Sequence, residues 1–249
     1  KVDEKNADAK VSLNYQIMNS GMGALLTEIN VAKSDLEVNV DAEVLWSKDD
    51  GVNFTLDLNA SDNVLVAGQQ ALSIEKINAV VSGSSEQINT TLSFSSEAAG
   101  KIDLESLLLL KSEKRTHNGK IGVSDLALSQ FAPFTSHVQR LEGVINADLA
   151  FSGALEKPSL SGELKINDAA VGLSDYPIRL SEYNQELVFD GFSATYDGQF
   201  KLGQGSGRIQ GAIDFADAIS ASANISGDKL DIEYETYRFH VSPDMQINM

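Results

Sequence analysis

His117, His137 and His240 are the chain's only histidines, and they lie far apart. No two of them stand two or four residues from each other, so the spacing that gathers zinc ligands on one strand or helix is missing. There is no cysteine, which removes thiol chemistry, disulfides and Cys-based metal sites together. No Gly-x-Ser-x-Gly stretch occurs, so the commonest nucleophile elbow of hydrolases is missing too. Carboxylate pairs such as Asp214/Asp217 and Glu233/Glu235 are plentiful. An acidic chain has many of these, and none has a partner group beside it that would split the roles of acid and base. Gly-Gly-x-Gly-x-Asp calcium repeats are absent. Asn-x-Ser/Thr triplets begin at Asn53, Asn59, Asn89 and Asn224, as chance gives in a chain rich in Asn and Ser.

The nearest approach to a phosphate cradle is Gly203-x-Gly205-x-Gly207, with Gly211 after it. It lies between strand-like runs and opens no helix, so the dipole that would hold a pyrophosphate is missing. Glycines two apart fall on one face of a strand and point to close packing or a sharp bend. The residues give no support for catalysis, and no cofactor or metal is expected.

What must position any site is strand after strand. Apolar and polar residues alternate in runs of about eight to twelve residues, as in Val52-Asn-Phe54-Thr-Leu56-Asp-Leu58 and Leu160-Ser-Gly-Glu-Leu164-Lys-Ile166. Period-two alternation keeps one face of each strand dry and the other wet. Runs are expected at Val11–Ile17, Asp35–Trp46, Val52–Ala60, Val64–Ala67, Ala71–Val81 and Ile88–Ser95. A second series covers Leu141–Phe151, Leu160–Asn167, Ile178–Leu180, Glu186–Asp190, Phe192–Tyr196, Phe200–Leu202, Gly207–Phe215, Ala218–Ser226, Leu230–Tyr234 and Arg238–Met249. Ser47-Lys-Asp-Asp-Gly51 predicts a hairpin turn, and Thr27–Lys33 suits either a strand or a helical turn. One segment departs from alternation. From Ser124 to Glu142, Leu128, Phe131, Phe134, Val138 and Leu141 recur at three- and four-residue steps, which predicts a short helical insert interrupted at Pro133. The expected organisation is an N-terminal β segment over residues 1–123, a helical insert over 124–142 and a second β segment over 143–249, all of one elongated sheet.

The 249 residues carry a net charge of −17 and a pI near 4.4. That excludes a phosphate-binding surface for nucleic acid and a basic patch for anionic membranes. The acidic residues are spread along the strands, as on a solvated outer face. No apolar run approaches the roughly 18 residues that span a bilayer, and no signal peptide opens the chain. Beginning at Lys1 and ending in a strand-like run, it reads as a fragment of something longer.

Two segments carry a family resemblance. Phe151-Ser-Gly-Ala-Leu155-Glu-Lys-Pro158-Ser-Leu160-Ser-Gly162-Glu-Leu164 resembles the recurrent turn-strand motif of the TamB family. Val171-Gly-Leu173, Pro177-Ile178-Arg-Leu180-Ser and Leu187-Val-Phe189-Asp-Gly191 resemble the strand pair that follows it, although Tyr176-Pro177 stands where the family often has glycine. Gly203–Gly211, Ile225-Ser-Gly227-Asp-Lys-Leu230 and Val241-Ser-Pro243-Asp244 continue in the family's order. The resemblance is fullest over Ser124–Met249 and is assigned to the family's C-terminal region. It implies a β-taco, a long curled antiparallel or mixed sheet bent into a U with an apolar interior groove. It also implies a periplasmic, non-enzymatic protein of Gram-negative bacteria, held to the inner membrane by an N-terminal helix that this chain lacks. Such a protein moves phospholipid between the two membranes and works with an outer-membrane β-barrel partner, TamA.

On that reading the groove residues are the inward apolar positions Ile145, Leu149, Phe151, Leu160, Leu164, Ile166, Leu187, Phe189, Phe200, Leu202, Ile209, Ile213, Phe215, Ile225, Leu230 and Ile232, and the ligand is the acyl chains of phospholipid. Two other readings remain: a structural or adhesive β-solenoid with a packed core, and a polysaccharide-active β-helix enzyme. Alternation alone does not separate a groove from a packed core.

Overall fold

The computed structural model describes residues 6–18, 33–47, 51–67, 70–111, 115–132, 138–173, 179–216, 219–234 and 237–249. Sixteen strands account for almost all of these: β1 Asn6–Met18, β2 Lys33–Ser47, β3 Gly51–Ala67, β4 Gln70–Ser84, β5 Gln87–Ser96, β6 Gly100–Leu109, β7 Thr116–Ala127 and β8 Val138–Ala154, then β9 Lys157–Leu173, β10 Arg179–Gly191, β11 Ser193–Leu202, β12 Gly205–Asp214, β13 Ser220–Asp228, β14 Leu230–Tyr234, β15 Tyr237–Val241 and β16 Asp244–Asn248. Fourteen form one long, unclosed sheet in chain order from β1 to β13, with β16 beside β13; β14 and β15 make a separate hairpin. The ladders with a defined register are all antiparallel. Contacts divide the chain into two compact units, Lys1–Gly122 with Ala150–Pro158, and Val123–Leu149 with Ser159–Met249.

The turn predicted around Ser47–Gly51 joins β2 to β3, where Ser47 faces Gly51 in the register and Gly51 takes a left-handed φ of 73°. Four expectations change. Ser124–Ala127 belongs to β7 and Val138–Glu142 to β8, so among the described residues of the expected helical insert the helical part is one 3-10 turn at Leu128–Gln130; 133–137 lie outside the described residues. The three-residue steps that imitated a helix come from strand ends around a turn. Arg238–Met249 is two strands that pair with different neighbours, β15 with β14 and β16 with β13. Val52–Ala60 and Val64–Ala67 are one strand, as are Phe192–Tyr196 and Phe200–Leu202 within β11. Strands β6 and β7 went unread. The alternatives at Thr27–Lys33, the Tyr176-Pro177 turn and His137 fall on residues outside those described, apart from Lys33 itself in β2.

The long strands are interrupted by bulges with a common construction. Asp62, Asp125, Asp168 and Glu182 all take positive φ, between 48° and 54°. Aspartate tolerates the left-handed region better than most residues. An asparagine supplies the hydrogen bonds that the interrupted ladder loses. Asn146 Oδ1 accepts the Asp125 N–H at 2.9 Å, Asn184 Oδ1 the Asp168 N–H at 3.0 Å, and Asn63 Oδ1 the Glu37 N–H at 2.7 Å. Two of them also donate backwards along their own strand, Asn63 to Ser61 O at 3.0 Å and Asn184 to Glu182 O at 3.1 Å. A bulge bends its strand and sharpens its twist, so these clamps put curvature into the sheet of each unit.

The β14–β15 hairpin is rooted on the sheet at the β11–β12 turn. The backbone of Lys229 and Leu230 passes so close over Gly205 that a Cβ there would overlap it, and Leu230 fills the space above Gly227. Leu230 is buried, with 6% of its surface exposed. On the hairpin's other side the Asp231 carboxylate accepts the Gln204 N–H at 2.9 Å, and His240 Nδ1 stands 2.6 Å from its second oxygen. The Gln204 N–H, followed by the charges of His240 and Arg238, holds the Asp231 carboxyl below its usual range against the opposing effect of burial.

Two measurements check these devices. Asn184→Ala removes both halves of one clamp and is expected to lower stability by about 1 to 2 kcal/mol, read from urea or thermal unfolding; an unchanged midpoint would rule the clamp out. For Asp231, the folded value lies below the unfolded one, so its contribution is complete above the unfolded value and is lost as pH falls through the folded one. The stability difference between wild type and Asp231→Asn is therefore expected to shrink as pH falls from about 5 to below about 4. A difference that ignores pH would mean that the charge does not anchor the hairpin.

Candidate functional site

Residues directly opposite each other in an antiparallel pair share a face. The registers therefore trace rows of side chains across the second unit without any appeal to hydropathy. One row runs Leu164, Leu187, Tyr196, Gly211, Ala223, Ile247; the next runs Ile166, Gln185, Gly198, Ile209, Ile225, Met245. Phe189, Ala194, Ile213 and Ala221 form a third, and Leu180, Leu202 and Gly205 a fourth. Phe200 faces Gly207, and Leu160 faces Gly191. Ten of the residues read from sequence thus lie on one dry face: Leu160, Leu164, Ile166, Leu187, Phe189, Phe200, Leu202, Ile209, Ile213 and Ile225.

The other six are placed differently. Ile145 and Leu149 share one face of β8 by alternation, and a Cβ added to Gly162 would overlap the Asp148 carbonyl and come within 3.1 Å of the Leu149 Cα. Phe151 belongs to the first unit, where its ring meets His117 edge-on with centroids 5.1 Å apart. Phe215 lies just past β12, its N–H donated to Phe192 O at 2.9 Å. Leu230 and Ile232 stand on the hairpin and not on the sheet; Leu230 is buried at its root and Ile232 is exposed.

The first unit has a dry face of its own that the sequence reading left out. Val40, Leu58, Ala79, Leu92 and Leu104 form one row, and Val44, Phe54, Gly83, Ile88 and Leu108 another. The signal was present in the Val52–Leu58 alternation. Its large side chains are only part-covered: Val44, Trp46, Leu56 and Leu92 keep between 37% and 44% of their surface exposed.

Bulky side chains on these faces lie flat across glycines of the neighbouring strand. A Cβ on Gly207 would overlap the Phe200 ring, one on Gly83 would come within 2.9 Å of the Phe54 ring, and one on Gly119 would overlap Phe151. Tyr196 crosses Gly211 completely, its hydroxyl donating to Ser222 O on β13 at 2.9 Å. This is the close packing that the glycine spacing predicted, with the sharp bend confined to Gly203 at φ 63°. One polar group interrupts the face. Gln185 is buried over Gly198, takes the Tyr183 O–H on Oε1 at 2.7 Å and donates to Glu186 O at 3.1 Å. Burial raises the Tyr183 pKa, with Tyr196 nearby adding to the effect. With its carbonyl and one amide hydrogen paired inside the protein, Gln185 holds β10 together beside the Glu182 bulge.

The opposite face is wet. Lys165 bridges Glu163 at 2.9 Å and Glu186 at 3.1 Å, Lys201 pairs with Glu182 at 2.7 Å, and Arg208 donates to Asp197 at 2.8 Å. These hydrogen-bonded pairs raise the pKa values of Lys165 and Arg208 and lower that of Asp197. All are well exposed and contribute little to stability. His117 Nε2 is buried without a hydrogen-bond partner, and His240 serves Asp231. Among the described residues no group of three or more His, Asp or Glu could hold a metal ion, and no helix is long and apolar enough to cross a membrane.

The exposure of individual side chains separates a packed core from an open face. Among the described residues the large apolar side chains that are buried are few, Leu72, Ile74 and Leu230, and the dry faces are part-covered by their own side chains and not by a second layer.

The chain is 24% identical over 201 residues to the translocation and assembly module subunit TamB of Haemophilus influenzae, covering 77% of this chain and 15% of that protein. The chain thus spans about one seventh of the length of the curated relative it matches. No solved structure matches it. A family model described as the TamB N-terminal domain matches residues 4–166. That match covers more than half of the 249 residues: the chain belongs to the TamB family.

Proposed function

We propose that this chain is one segment of an envelope-spanning protein whose dry sheet face carries the acyl chains of phospholipids between the inner and outer membranes. The observation that carries the proposal is the register-defined apolar face with so little protein covering it. Moving a sixteen-carbon chain through water costs about 12 kcal/mol, at about 0.8 kcal/mol per methylene. A continuous apolar wall offsets that cost at every point along a path, which scattered apolar residues cannot do. Half-exposed Leu, Ile, Val and Phe side chains are themselves costly in water and gain from an apolar occupant.

The full-length protein in this reading is periplasmic and held to the inner membrane. It supports outer-membrane biogenesis with a TamA-type β-barrel, in keeping with its Haemophilus relative being named a subunit of a translocation and assembly module. The reading needs no catalytic group. A packed, ligand-free β-solenoid is the competing reading, and the part-exposed apolar side chains of the described strands, such as Val44, Leu56 and Leu92, count against it.

Leu164→Asp and Ile213→Arg each place a charge in the middle of the dry face. In a full-length protein carrying either change, phospholipid transfer is expected to fall about tenfold or more, because burying an unpaired charge against an acyl chain costs several kcal/mol. Transfer between labelled membranes is the readout, with circular dichroism of the purified segment as the check on folding. Normal transfer by stably folded versions of both variants would sink the proposal.

A further inference from the structure

The flat lie of the side chains over glycines has a consequence for what the dry face can hold. A strand face lined with Phe and Tyr ordinarily presents rings standing off the sheet, because side chains project roughly perpendicular to it. Here Phe200 reaches sideways from β11 and puts its ring tip where a Cβ on Gly207 would stand. Tyr196 spans from β11 across Gly211 to the Ser222 carbonyl on β13, and Gln185 folds over Gly198 in the same way. Each bulky group occupies the place where a neighbour's Cβ would be, so the wall stays low.

We propose that the glycines opposite these side chains set the clearance above the apolar wall, with Gly207 as the position that controls it most directly. The inference rests on the acyl-chain reading above and specifies which lipid tails the face admits. The three atoms nearest a Gly207 Cβ all belong to the tip of the Phe200 ring, with no backbone among them. An alanine there leaves the ladder intact and acts on the ring alone. The ring must rise by about 1 Å to recover van der Waals separation, and it rises into the space where a chain would lie. Gly211 and Gly205 are less selective, because a Cβ on either would also overlap backbone, the Ser222 carbonyl and the Lys229–Leu230 segment respectively. With Gly207 in place the face accepts tails that carry bulk along their length; with the ring lifted it favours slender ones.

The test uses the purified chain and two fluorescent fatty acids, the slender polyene cis-parinaric acid and a stearic acid bearing an anthroyloxy group midway along its chain. Gly207→Ala is expected to bind the slender probe within about twofold of wild type and the bulky probe about fivefold more weakly. Phe200→Leu, which shortens the group lying on Gly207, is expected to shift the ratio toward the bulky probe. The double variant Gly207→Ala with Phe200→Leu should return the ratio to near the wild-type value, a rescue that general destabilisation would not produce. Wild type taking up neither probe overturns the acyl-chain reading and the inference with it. Uptake of both with an unchanged ratio in Gly207→Ala, or a lowered ratio that Phe200→Leu fails to restore, overturns the inference alone. Should Gly207→Ala not fold, the Phe200→Leu ratio decides: a shift toward the bulky probe supports the clearance role, and no shift overturns it.

Discussion

Register between neighbouring strands is the constraint on which everything else in the second unit depends. With a side-chain period of two, a slip of one residue between β11 and β12 would exchange Phe200 for Lys201 opposite Gly207 and turn Arg208 toward the dry face. The ladder is what keeps Leu164, Leu187, Ile209 and Ile225 together and their charged neighbours Lys165, Glu186 and Arg208 on the far side. In most sheets a second packed layer enforces that choice, because a slipped strand would bury its charges. Among the described residues no such layer is present, so the register must be fixed within the sheet itself.

Three features of the chain do this. Bulky groups seated on glycines work as keys: Phe200 fits over Gly207 and Tyr196 over Gly211 in one register only, since a slipped register would set a ring against a residue with a Cβ. Asn-clamped bulges pin particular residues across the ladder, as Asn184 does to Asp168. Cross-strand ion pairs on the wet face, such as Arg208 with Asp197, add a weaker preference in the same direction. The glycines are thus keyholes for register and, by the same geometry, the reason the wall is low. Stability and clearance come from one arrangement.

Much of this was legible from the residues, and the failures have physical causes. Alternation found most strands because each has a wet side and a dry side, and it chose ten residues that share one face. It could not see through a bulge. At Asp62 and Glu182 the chain advances by an extra residue, so a single strand reads as two or loses its phase. The apparent helix around Ser124–Glu142 failed because a strand end, a 3-10 turn and another strand start can imitate three-residue spacing over a short window. Leu230 and Ile232 alternate like sheet residues because they do lie on a strand, but on a hairpin that leaves the sheet. Sequence spacing carries no information about that departure. The glycines at 205, 207 and 211 were correctly read as close-packed, yet the groups packed on them come from residues as distant in sequence as Tyr196 and Lys229.

The charge of the chain has its place in the same argument. A sheet with an uncovered apolar face and an edge strand such as β16, where Met245 and Ile247 remain exposed, is open to pairing and stacking with other copies. The usual remedy, burying the face under a helix, would also remove any path along it. A net charge of −17 carried largely on the wet side offers another remedy, because two copies brought face to face or edge to edge repel over about a Debye length. On the proposed reading, an acyl chain carries no charge and meets no such barrier, so acidity on one face would let the other stay open to small apolar guests while holding proteins of the same kind apart.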